Sequence, residues 1–385
     1  MSWWPCPSHR TASAACRHEV SGGRRRRRPD LSRRAISGMI PTTSGITDLV
    51  VAYRQGKGPD AWRLRALAEG GLPGAWPYGL EQLNATGRTV TAVEVPELSG
   101  LQRRIAATVG IRRSRRPATT RLGLAWNETT ALPMLAALHA QRMFAGVIWA
   151  TDAVAAGDHS TLVRSLSRSL PRLDGLWTLS RPQVEAVKLW LGRSCPPVKF
   201  LPFGVDTEFY GERPFPDQPH VVSVGGDRDR DPVTLFEAMS LVRERRPDVR
   251  VSVQTSSSEP PPDGVDVVPH LRHHEVRDLL ASASVVAIAT RPNLHASGIT
   301  VGLEAMSTGR PVVASATPGM DDYFADGQSS RLVAPGSAHA MAEAVLDLLA
   351  DRDAAAAMGK VGRKSVETRH SVATMCQHLA EITGA

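Results

Sequence analysis

The chain has few cysteines, no long apolar run and no metal-ligand spacing. Its 385 residues include only Cys6, Cys16, Cys195 and Cys376. No pair of them stands at a zinc or redox spacing, so neither a disulfide framework nor a zinc module is indicated, and a reducing cytoplasm is the expected location. No stretch of about 18 apolar residues is available to cross a bilayer, and no apolar segment follows the N-terminal arginines to complete a secretory signal. His270, His273 and His274 have no carboxylate at ligand spacing and His139 lies in an apolar stretch, so no metal is expected.

What is present begins with charge. The formal net charge is +8, but residues 1–40 hold nine arginines, five of them consecutive at 24–28, against Glu19 and Asp30. Nearly all the basicity therefore belongs to this segment, and the rest of the chain is close to neutral. A block of like charge without apolar periodicity does not fold. Residues 1–40 are expected to be a disordered leader, with Met39 as an alternative start, and no nucleic-acid partner is expected.

From residue 46 onward, short β-branched runs alternate with helical stretches, the pattern of doubly wound α/β domains. Strands are expected over 47–53, 89–95, 122–126, 146–151, 175–179 and 198–202, with helices over 80–85, 131–142, 160–169 and 182–191. After a proline-rich hinge at 212–219 the rhythm repeats. Strands are expected over 221–224, 249–253, 265–268, 285–289 and 311–314, with helices over 233–244, 274–282, 299–308 and 338–350. The polar, proline-rich stretch 256–263 reads as an exposed loop.

The most informative segment is 295–319, HASGITVGLEAMSTGRPVVASATPG. Gly298 lets the backbone bend, a helix runs from Ile299, Gly309 stops it, and a buried strand follows. Unpaired N–H groups and the helix dipole make such a helix start a seat for phosphate, while Thr300 and Glu304 share one helix face.

These residues resemble the retaining glycosyltransferases of family 4, also called glycosyl transferases group 1. The signature is Leu303, Glu304, Ala305 and Met306, followed by Gly309, Arg310, Pro311, Val312, Val313 and Ala314. Phe203, Gly204, Val205, Asp206, Thr207, Glu208 and Phe209 resemble the family's interdomain phrase, and residues 220–238 resemble the opening of its second domain. The resemblance implies a GT-B architecture, with two Rossmann-like α/β domains facing a central cleft. The expected organisation is a leader over 1–40, an acceptor-binding domain over 41–205 and a nucleotide-sugar-binding domain over 206–364. Residues 365–385 are expected to form a helix returning to the first domain.

The implied substrates are a nucleoside-diphosphate sugar and a hydroxyl acceptor, with no further cofactor. Glu304 is expected on the ribose hydroxyls, with Gly226, Ser297, Gly298, Ile299 and Thr300 completing the donor site. Arg230 falls where the family holds the diphosphate with a basic residue. The partner basic position is missing near Gly225, and Arg228 is the candidate replacement. The acidic residue usual eight positions before Glu304 is Ala296 here, leaving its neighbour His295 as a candidate to face the donor sugar. In the first domain the family's histidines at the end of the third strand are absent. Asn127, Glu128 and Asp152 at strand ends, with Trp76 and Tyr78 from the loop 70–78, are candidates for the acceptor.

The acidic string Asp227, Asp229, Asp231 invites a rival scheme in which a divalent ion bridges the donor phosphates. The interleaved arginines and the second phosphate-cradling helix start favour transfer without a metal. A non-hydrolysing sugar-nucleotide epimerase and a non-catalytic binder of the same fold remain open as alternatives.

Overall fold

A computed structural model describes residues 47–99, 101–102 and 118–385; the arginine-rich segment, with Cys6 and Cys16, lies outside them. The first lobe is built on a parallel sheet of six strands: β1 (Thr47–Arg54), β2 (Val90–Val95), β3 (Thr120–Ala125), β4 (Ala140–Gly146), β5 (Gly175–Thr178) and β6 (Val198–Phe200). Their order is β2-β1-β3-β4-β5-β6. The second sheet has β7 (His220–Val224), β8 (Arg250–Gln254), β9 (Val265–Val268), β10 (Val285–Ile288), β11 (Val312–Ser315) and β12 (Ser330–Val333). It is ordered β12-β11-β10-β7-β8-β9. Strands buried on both faces read as unbroken apolar runs. Val285, Val286, Ala287 and Ile288 of β10 are completely buried, and each such large aliphatic side chain contributes about 1.5–3 kcal/mol relative to exposure.

The second strand order fixes where a ligand can bind. From β7 the chain winds outward through β8 and β9, then returns to β10 and winds the other way through β11 and β12. Adjacent β7 and β10 therefore send their following loops in opposite directions, opening a crevice at their carboxyl ends. Those loops are residues 225–231 and 289–298, which carry Arg230 and His295.

Several expectations need correction. The fourth strand is Ala140–Gly146 and the helix before it is Glu128–Ala137, where sequence patterning placed a strand at 146–151 and a helix at 131–142. Val147, Ile148 and Ala150 are buried and Trp149 partly so, yet the stretch is not a strand. Val147 N–H bonds Trp177 O, and the next three N–H groups turn toward a carboxylate to open the helix Ala150–Ala155. The helix Pro59–Glu69, between β1 and the loop 70–78, was not expected. β12 and the helix Arg352–Arg369 were also missed.

The proline-rich stretch 212–219 is bound to the second lobe and does not swing freely. Arg310, fully buried, donates to Arg213 O and Pro214 O, and Arg352 donates to Phe215 O and Pro216 O. The chain passes between lobes instead beside Val205, whose N–H bonds His370 O and whose carbonyl accepts from Val372 N–H. Ser371 interrupts the expected closing helix and caps a new one, Val372–Thr383, through Thr374 N–H. That helix packs on the first lobe, with Val372 against Gly79 and the Cys376 thiol toward Gly79 O.

Candidate functional site

The helix Ile299–Ser307 starts at Gly298, whose φ of 94° is left-handed. Its first-turn amides have no intrahelical carbonyl to meet and carry the positive end of the dipole. Arg230 lies directly beside them. A β-carbon on Gly298 would stand 3.5 Å from its Nη1, and one on Gly225 only 2.4 Å from its Nη2. Glycine at 225 makes room for the guanidinium at the end of β7, whereas at 298 the close neighbour is Ile288 Cγ2, 2.6 Å from where a β-carbon would stand.

Arg230 is held by Asp227. Its Nε donates to Asp227 Oδ2 at 2.8 Å, and both side chains are mostly buried. Asp227 Oδ1 accepts from Ser297 Oγ at 2.7 Å, tying the two loops together. Burial works to raise the Asp227 carboxyl, but Arg230, Ser297 and His295 outweigh it and hold it below the usual carboxylate value. Arg228 donates to Asp229 Oδ2 at 3.0 Å and lies half-exposed over the Trp149 ring. Gly226 is close-packed, accepting from Ser256 Oγ at 2.9 Å.

Glu304, one turn into the helix, is buried with no ion pair of its own among the described residues. Burial pushes its carboxyl up to about 8, against the downward pull of the Tyr210 hydroxyl and the Arg230 charge. The Tyr210 hydroxyl faces it without reaching hydrogen-bonding geometry. Glu304 and Thr300 line a cavity of about 30 Å³ between the lobes, walled by Gly74, Tyr78, Phe203, Asp206 and Val372. That is room for about two waters.

His295 is buried and touches both lobes. Its Nδ1 meets Asp152 Oδ2 at 2.9 Å, its ring lies 4.4 Å from that of Trp149, and Nε2 has no hydrogen-bond partner, with Asp229 Oδ2 at 3.7 Å. Asp227, Asp229 and His295 each offer an atom within 4.8 Å of the others, a spacing a cation would suit. Each carboxylate is already paired with a guanidinium, however, which opposes a further cation there.

The first-lobe candidates are engaged as follows. Asn127 caps the helix Glu128–Ala137 through Thr130 N–H and also accepts from the hydroxyls of Thr129 and Thr130. Glu128 is buried, and its carboxylate accepts the N–H groups of Ile148, Trp149 and Ala150 at 2.8–2.9 Å. It thus holds the loop that carries Trp149. Burial raises its carboxyl despite those bonds. Asp152 faces the second lobe, as described. Tyr78 stacks on Trp126 at 4.4 Å and 18°, with a left-handed φ of 64°, and Trp76 packs edge-on to Tyr53.

The amides of the glycine loop are also occupied. Gly74 N–H donates to Asp206 Oδ2, and Ala75 and Trp76 N–H donate to Glu81. Sequence reasoning missed Trp149 and Tyr210, because each comes into place only through the fold.

Residues 218–351 match the family described as Glycosyl transferases group 1. A stretch of 145 residues is 32% identical to the D-inositol 3-phosphate glycosyltransferase of Corynebacterium aurimucosum, covering 34% of each chain. The chain thus spans about a third of the length of that relative. Among solved structures, sucrose-phosphate synthase from Thermosynechococcus elongatus superposes with a TM-score of 0.61 at 15% identity, over 87% of this chain and 98% of the other. Anabaena HepE in complex with UDP-glucose gives the same TM-score, identity and coverage. The fold is GT-B, two parallel six-stranded α/β lobes.

Proposed function

We propose that this protein is a retaining, metal-independent glycosyltransferase that moves a sugar from a nucleoside diphosphate to a hydroxyl acceptor. The observation that carries the reading is the seating of Arg230 between Gly225 and Gly298 at an open helix start, with Glu304 one turn further on. Breaking the bond from sugar to diphosphate develops negative charge on the leaving phosphates and positive charge on the sugar ring. Arg230, Arg228 and the amides of Gly298 and Thr300 would take up the first charge in a site that excludes water as the lobes meet. Ionised Glu304 would accept two ribose hydroxyl protons as hydrogen bonds.

Retention is read from the resemblance. The acceptor hydroxyl attacks on the face the diphosphate leaves, and its proton passes to the departing phosphate oxygen. The described cysteines are both free thiols, which fits a cytoplasmic setting. The structural neighbour bound to UDP-glucose makes UDP the first nucleotide to try. A thermal-shift panel of nucleoside diphosphates and their sugars, each at about 100 times its dissociation constant, should raise stability by about 2.7 kcal/mol for the true ligand. Glu304→Ala should weaken that shift, and Arg230→Ala should abolish transfer. Epimer formation without an acceptor, or binding without transfer across an acceptor panel, would overturn the proposal.

A further inference from the structure

Asp152 reaches from the first lobe into the loop that follows β10. Its Oδ1 accepts Leu294 N–H at 2.6 Å and its Oδ2 meets His295 Nδ1 at 2.9 Å, so both oxygens hold the same loop. Burial pulls the Asp152 carboxyl upward, but the His295 contact, Leu294 N–H and Arg228 outweigh it and keep it ionised. An ionised carboxylate only accepts, so Nδ1 carries the proton and Nε2 is turned toward Asp229 in the loop after β7. Ser180, also of the first lobe, donates to Leu294 O at 2.5 Å.

The loop held this way is strained where it turns toward the helix. Ala296 is buried with φ of 51°, and Gly298 follows at 94°. A left-handed alanine costs on the order of 1 kcal/mol and persists only where its surroundings enforce it. On its own side the loop is enforced by Asn293 Oδ1, which accepts Ser297 N–H, and by Ser297 Oγ on Asp227. Ile299 N–H also closes on Ala296 O within the turn, and Asp152 and Ser180 add the contacts from the opposite lobe.

We propose that Asp152 is a positioning residue by which the first lobe assembles the donor-phosphate seat: through Leu294 and His295 it holds residues 294–298 in the turn that aims the helix amides beside Arg230. The role rests on the sugar-transfer reading, and it reassigns Asp152 from acceptor binding to the coupling of lobe closure with donor alignment. When the lobes part, the loop loses Asp152 and Ser180 together and the seat relaxes. Only the closed form then presents phosphate with both guanidinium and amides.

Hydrogen exchange on the full chain tests the coupling without any ligand. Asp152→Ala should speed exchange of the 294–301 amides at least tenfold. Asp152→Asn, which keeps one acceptor oxygen, should give a smaller increase. Asp322→Ala removes a different tie across the lobes, the pairing with Arg181, and should leave those amides within about twofold of wild type. With a donor that the wild type turns over, Asp152→Ala should lower kcat at least tenfold while donor KM moves less than threefold, with partial recovery in Asp152→Asn. Unchanged exchange in both Asp152 variants, or equal acceleration in Asp322→Ala, would overturn the proposal. Failure of the wild type to turn over any donor would instead sink the sugar-transfer reading, while the exchange result still decides the coupling.

Discussion

Arg230 lies so close to Gly225 that a β-carbon on that glycine would stand 2.4 Å from the guanidinium. The φ of Gly225, 141°, also disfavours any side chain. Gly225→Ala should therefore push Arg230 out of its place without touching a core residue. The expected result is a loss of transfer of at least about tenfold, or about 1.4 kcal/mol of transition-state stabilisation, with an unchanged circular dichroism spectrum. Full activity in Gly225→Ala would mean that Arg230 does not meet the reacting phosphates.

Glu304 makes stability depend on pH. Burial raises its carboxyl from 4.5 to about 8, so the folded chain keeps a proton that the unfolded chain has lost. Its contribution is complete below 4.5, declines as pH climbs toward about 8, and is flat above. Glu304→Gln has no proton to lose. Its stability relative to wild type should rise across that interval, on the order of a few kcal/mol. Denaturant titrations of both proteins at about pH 5 and about pH 9 check the sign. Donor affinity should change the opposite way in wild type, strengthening as the carboxylate forms, and Glu304→Gln should lose that dependence.

Glu128 satisfies three backbone N–H groups in the interior. Glu128→Ala leaves them unpaired and should cost about 3 kcal/mol or more. Glu128→Gln, with one acceptor oxygen left, should cost less. Chemical denaturation distinguishes the two, and a stability cost under about 1 kcal/mol for Glu128→Ala would contradict the clamp.

Arg310 is completely buried, donates to Arg213 O and Pro214 O, and stacks over Phe215. Burial lowers its ordinary value to about 10 against the attraction of Glu212. Arg310→Met should lose about 2–4 kcal/mol through the stranded carbonyls. Nucleoside diphosphate affinity should hardly change, because the residue grips the connecting segment and not the ligand. A large affinity loss at unchanged stability would reverse that assignment.

Much of the second lobe was legible because its strands are apolar on both faces and its helix starts and stops at Gly298 and Gly309. Arg230 and Glu304 were singled out by the family resemblance, Glu304 from the Leu303–Met306 signature and Arg230 from its place ahead of the second domain's first helix. The first lobe was harder. Residues 143–150, MFAGVIWA, form one apolar run in which strand and following turn look alike. The boundary is drawn by Glu128, which lies about 20 residues earlier and captures the N–H groups where the strand ends. The contact of Asp152 with His295 spans 143 positions, and no local pattern encodes it. Asn127 and Glu128 looked like acceptor ligands because strand-end polar residues face the crevice, but helix capping and loop anchoring use the same residue types.

The two crossings between lobes are bonded to each other. Val205 on the outgoing crossing meets His370 and Val372 on the returning one. A single tether would let one lobe tilt and twist in any direction, whereas two tethers laced side by side leave one easy axis of rotation. Opening for a donor should therefore retrace the same arc as closing, returning Asp152 to Leu294 and His295 on every cycle.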